Sequence, residues 1–229
     1  MPGMTGDQKR LGDFYSACMN TSAIEAAGAK PLDPPLHRIA AIGARQDLVA
    51  LLVSLEPDGG AFAPPAIVSE ADPDNAEQTI TGIPAGGGLS LPDRDYYFRD
   101  DAPTKAIRDA FGLHVAKMMQ LLGDAPDAAA ASAKTVFDFE SVLAQSQLTL
   151  VQRRDPYNRL HKMDFANLKE LAPAFDWDAA FRLLSIPTTV VIDVRQPEFI
   201  KTLNHQLQEA PIETWKTWLR WRVLNERAQ

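Results

Sequence analysis

Ile107, Phe111, Val115, Met118 and Leu122 recur at intervals of four, four, three and four residues. A strand shows each face at every second residue, so this spacing excludes a strand and sets all five on one stripe of a helix. That helix starts near Ala102 and ends at Gly123. The same period governs most of the chain. It lines up Val136, Phe139, Leu143 and Leu150 along a long helix over residues 127–151, whose alanine-rich first half has high helix propensity. Further helical patterns cover residues 13–27, closed by Gly28 and Pro31, and residues 35–55, in two pieces broken near Gly43. Short helices are predicted over 165–171 and 178–184, and longer ones over 197–208 and 212–227.

The texture changes only between residues 57 and 92, where glycine and proline are dense. Two β-like runs, "AIVSEAD" and "QTITGIP", flank the turn-forming "PDN" of residues 73–75 and predict a hairpin. One more β-branched run, "TTVVIDV", predicts a strand near residues 188–194. The fold class that follows is mainly α: one multi-helix domain over 1–229, with a small β-hairpin element inserted at about 64–98.

At 229 residues, with 45% hydrophobic and 23% charged side chains, the chain can bury a core. A formal charge of -7 argues against a nucleic-acid partner, which needs a concentrated basic surface. Apolar runs such as "LVALLVSL", residues 48–55, fall far short of the roughly 20 residues that cross a bilayer, so no membrane span is expected. The first twenty residues lack the apolar stretch of a secretory signal. The single cysteine, Cys18, cannot form an internal disulfide, and it reads as a small buried core residue.

Candidate chemistry centres on "GGGLSLPDRDYYF", residues 86–98. A P-loop needs a Lys-Ser/Thr pair after its last glycine, and a dinucleotide fingerprint needs spaced glycines between a strand and a helix. Neither pattern is met, and the stretch reads as a structural turn in which Asp93 and Asp95 accept hydrogen bonds from turn amides or from Arg94. The four histidines, His37, His114, His161 and His205, are isolated, and none begins the H-E-x-x-H that holds a hydrolytic zinc on a helix. Glu70 and Asp74 match E-x-x-x-D, but Pro73 lies inside the match, in hairpin context. His114 reads as a half-buried structural residue, and His205 with Glu209 as a surface pair at i, i+4. No G-x-S-x-G elbow occurs. Trp215, Trp218 and Trp221 sit among Lys216, Arg220, Arg222 and Arg227, yet Ile212, Trp215, Leu219 and Val223 form an apolar face that reads as core. "VQRRDPYN" reads as basic charge at a helix C-terminus rather than an anion site. No catalytic, cofactor-binding or metal-ligating residue is assigned on these patterns.

Five stretches, "GDFYSACMN" with "IEAAGAKPL", "GGGLSLPDRDYYF", "QLTLVQRRDPYNRLHKMDFANL", "VIDVRQPEFI" and "ETWKTWLRWRVLN", resemble in that order the N-terminal region of the neprilysin-type zinc endopeptidases, peptidase family M13. The resemblance runs from about Gly12 to the chain end. It implies two mainly helical lobes around an enclosed cavity, this chain supplying most of the lobe that caps the cavity. It also implies that the zinc ligands, an H-E-x-x-H followed by E-x-x-x-D, and the Asn-Ala-Tyr substrate motif belong to a later portion. The chain then reads as an interior piece: the non-catalytic, access-restricting part of a peptidase that hydrolyses oligopeptides, with zinc in the parent family but none here. Its implied partners are the catalytic portion and peptide substrates, in an exported, periplasmic or membrane-anchored parent. The alternative is a standalone helical binding module that has lost the catalytic half. Two positions depart from the family pattern: Asn20 stands where aspartate is frequent, and Ser90 where glycine is.

Overall fold

Asn20 shows how local chemistry overrides the periodicity near the start of the chain. In the computed structural model, which describes residues 6–55, 65–84 and 89–227, its side chain accepts the Ala23 amide at 3.1 Å and begins a new helix. Instead of one helix over 13–27 there are therefore two, α1 (Gly6–Cys18) and α2 (Thr21–Ala27). Gly28, at φ 52°, caps α2. These belong to the first of two compact units, Met1–Pro34 and Pro35–Gln229. Neither α1 nor α2 buries a side chain, and Cys18 is exposed, contrary to its reading as a core residue. A helix with no buried face leaves a cysteine nothing to pack against.

After α3 (Asp33–Ala40), the Asp47 carboxylate accepts the amides of Gly43 at 3.0 Å and Ala44 at 2.9 Å, which sets the break before α4 (Arg45–Leu55). Leu48, Leu51, Leu52 and Leu55 of α4 are buried. The predicted hairpin is present as β1 (Val68–Asp72) and β2 (Asn75–Ile83), antiparallel in the register Val68↔Gly82 and Ala71↔Thr79. It is the edge of a larger sheet. β3 (Lys162–Met163) and β4 (Ile192–Val194) extend it in the order β1-β2-β4-β3, with β4 parallel to β2 and β3 antiparallel to β4. Only the last three residues of the β-branched run pair with β2, because register with Thr81–Ile83 begins at Ile192.

The helices α5 (Asp95–Phe98), α6 (Ala102–Leu121) and α7 (Pro126–Gln145) follow the sheet hairpin, then α8 (Phe165–Leu171), α9 (Trp177–Leu183), α10 (Pro197–Glu209) and α11 (Ile212–Arg227). The buried line of α6 is Thr104, Phe111, Val115 and Met119, so the stripe is rotated off Met118, and Ile107 is 40% exposed. Helix α7 is the central element and packs against α5, α6, α10 and α11. It buries Val136, Phe139 and Leu143 as predicted but stops at Gln145, short of residue 151. There the chain leaves helical geometry and the Leu148 amide donates to Gln196 Oε1 at 2.7 Å, which leaves Leu150 off the helix and half exposed. Phe139 meets Trp215 and Trp218 at centroid distances of 4.8 and 5.1 Å, contacts each worth about 0.5–1.5 kcal/mol beyond area burial. Arg222 of α11 is buried as well; it bonds Glu226 at 2.8 Å and lies over the Trp218 ring.

Candidate functional site

Gly86, Gly87 and Gly88 lie outside the described residues, but the rest of their motif does not. Ser90, Leu91 and Tyr97 close around one buried carboxylate, Glu140 of α7. Glu140 accepts from Tyr97 Oη at 2.6 Å, from the Ser90 amide at 3.0 Å, from Ser90 Oγ at 2.7 Å and from Trp218 Nε1 at 3.1 Å. The Tyr97 hydroxyl in turn accepts the amides of Ser90 and Leu91, and Ser90 Oγ accepts from Trp221 Nε1 at 2.7 Å. Burial pushes the Glu140 carboxyl above its ordinary range, opposed by the donors from Tyr97 and Ser90. Burial and the adjacent Glu140 push the Tyr97 hydroxyl up as well. Glu140 is 0% exposed, so no substrate reaches it and it cannot serve as a general base. The knot is a joint. It ties the loop before α5 to α7 and α11, and a fully satisfied buried polar network of this kind fixes one arrangement of its elements.

The rest of the turn follows the predicted chemistry in part. Asp93 Oδ1 accepts the Asp95 amide at 2.8 Å, while the Arg94 guanidinium lies over the Phe98 ring instead of pairing with either aspartate. Glu70 lies on β1 and Asp74 in the hairpin turn, so the E-x-x-x-D match has no helical geometry. His114 is exposed, not half-buried, and its ring stands edge-on to Trp221 at 5.7 Å. His37 lies on α3, His161 in the loop just before β3 and His205 on α10, and among the described residues the ion pair on α10 is Lys201–Glu198 rather than the predicted His205–Glu209. Among the described residues no three His, Cys, Asp or Glu side chains gather.

What does gather is arginine. A cleft of about 440 Å³ beside the sheet is lined by Arg153, Arg154, Arg159 and Arg195 together with Pro84, Leu150 and Gln196. The sequence reading missed it because the period carried α7 to residue 151 and made Arg153 and Arg154 its C-terminal charges. In the structure α7 ends at Gln145, and the two arginines lie in a separate turn, Gln152–Arg154. Asp155 caps the following turn, Pro156–Arg159, and so presents Arg159 to the same cleft. Arg195, just past β4, is held by an ion pair with Glu70 of β1. That pair crosses β2 directly above Gly82, where a Cβ would run into the Glu70 carboxylate, so a larger residue there would have to displace the end of the Glu70 side chain. A second cleft, about 390 Å³, shares Arg159 and Arg195 but sets them beside Asp74 and Asp193, with Pro73, Pro156, Tyr157 and Leu160 completing the lining.

With this geometry in place, similarity to known proteins adds context. The profile of peptidase family M13, N-terminal part, matches residues 2–229. Human endothelin-converting enzyme 1 is 26% identical over 220 residues, covering 90% of this chain and 28% of that protein. Neprilysin-3 of Drosophila melanogaster is 29% identical over 150 residues, 60% of this chain and 19% of that protein. The zinc metalloprotease Zmp1 of Mycobacterium tuberculosis, crystallised with an inhibitor, superposes with a TM-score of 0.87 at 27% identity, over 97% of this chain and 34% of that one. The chain thus spans less than a third of the length of the curated relatives it matches.

Proposed function

This chain belongs to peptidase family M13, and from that membership we propose that it is the non-catalytic, access-restricting part of a zinc metalloendopeptidase acting on oligopeptides. The Glu140 knot carries the reading. Two stretches that resemble the family, "LPDRDYY" with the serine before it and "WKTWLRW", contribute Ser90, Tyr97, Trp218 and Trp221 to a closed structural joint. A wall that selects peptides by size needs a rigid shape, and a saturated buried network under a tryptophan cluster supplies rigidity. Partners in this reading are the catalytic portion, which would hold the zinc, and peptides admitted to the chamber.

The coding sequence downstream of Gln229 tests it. An in-frame H-E-x-x-H followed by E-x-x-x-D is the expected finding. A stop codon directly after Gln229 would instead favour a standalone helical binding module.

A further inference from the structure

Three of the four cleft arginines, Arg153, Arg154 and Arg159, form no ion pair among the described residues, and Arg153 Nε is buried with no hydrogen-bond partner. Among the described residues no carboxylate lines this cleft, whereas Asp74 and Asp193 line the adjoining one. Asp155 accepts the Tyr157 amide at 3.0 Å, Asp74 pairs with Lys162 at 2.7 Å, Asp193 accepts the His161 amide at 2.7 Å, and Glu70 holds Arg195. Asp155 and Asp193 keep their negative charge while accepting amides, so the excess of positive charge is confined to the lining of the first cleft, where three arginines have no ion-pair partner among the described residues. Like charges held together repel, and an anion entering the cleft would relieve that repulsion while satisfying the open guanidinium donors. Guanidinium forks match planar carboxylates in two-point contacts. Apolar surface flanks them: Pro84 and Leu150 in this cleft, Pro156, Tyr157 and Leu160 in the adjoining one. A small inorganic anion would leave that surface unused, whereas a peptide alternating acidic and apolar side chains covers both.

We infer that the arginine cleft binds the side-chain carboxylates of an acidic peptide. That the anion is peptidic rests on the peptidase reading above; that the site takes an oxyanion rests on the arginines alone.

The test titrates the 229-residue protein with a blocked Glu-Leu-Glu amide, its Gln-Leu-Gln counterpart and inorganic phosphate, following the arginine Nε–Hε resonances by NMR. The glutamate peptide should shift Arg153, Arg154 and Arg159 saturably and bind about tenfold more tightly than either the glutamine peptide or phosphate. Its affinity should fall by about tenfold in Arg153→Gln/Arg154→Gln and also in Arg159→Gln, and should weaken as salt rises. Equal binding of the two peptides, or no saturable shift, would overturn the site. Phosphate binding as tightly as the glutamate peptide would overturn the peptide assignment. These titrations do not involve hydrolysis or zinc, so they fail or succeed separately from the assignment of the chemistry to another portion.

Discussion

The Ser90 hydroxyl is used on both sides. It donates to Glu140 at 2.7 Å and accepts from Trp221 Nε1 at 2.7 Å. Ser90→Gly would strand a buried indole N–H and remove one donor from a buried carboxylate, so it should cost about 1–3 kcal/mol in urea unfolding. Tyr97→Phe should cost a similar amount, about 1–3 kcal/mol, since it deprives Glu140 of a donor and the Leu91 amide of its acceptor. Unchanged unfolding midpoints in both variants would contradict the knot. Cys18, on a helix without a buried face, should react with a thiol reagent as fast in the native protein as in denaturant. Strong native protection would place it in a core after all.

Among the elements, α6 offers a pH test. Asp101 caps it: hydrogen bonds from the Thr104 amide at 3.0 Å and the Thr104 hydroxyl, with the nearby Arg99 guanidinium, hold the carboxyl below its ordinary range. A depressed folded-state pKa means stability that is present above the ordinary carboxylate value near 3.8 and is lost as pH falls through the folded value. Asn caps helices nearly as well but cannot ionise. The stability gap between wild type and Asp101→Asn should therefore be full at neutral pH and close in acid, followed by thermal unfolding across pH; a gap independent of pH would refute the assignment. The elements also mark what could be read in advance. Helices with strong periodicity and a clear stop, such as α8 and α11, have the predicted limits. β3 has only two residues and exists because β4 offers it a partner, so it leaves no local pattern. The Glu140 knot joins residues 43 to 131 positions apart, and the arginine cleft joins β4 to the turns after α7. Spacing along a chain carries no record of such long-range meetings.

For its short length the first unit exposes many large apolar side chains. Leu11, Phe14, Tyr15, Met19 and Ile24 are each more than half exposed, at 70%, 71%, 65%, 60% and 52%. Surface of that kind binds hydrophobic dyes and promotes self-association. The purified chain should show both, and the double substitution Phe14→Ser/Ile24→Ser should reduce both; a monomer that binds no dye would contradict the expectation. In the proposed function this chain shapes a peptidase chamber and the hydrolytic chemistry lies in another portion. The most direct test is to measure zinc stoichiometry and oligopeptide hydrolysis for the purified 229-residue chain, with and without chelator. The account predicts no stoichiometric zinc and no cleavage; bound zinc together with hydrolysis abolished by the chelator would contradict it.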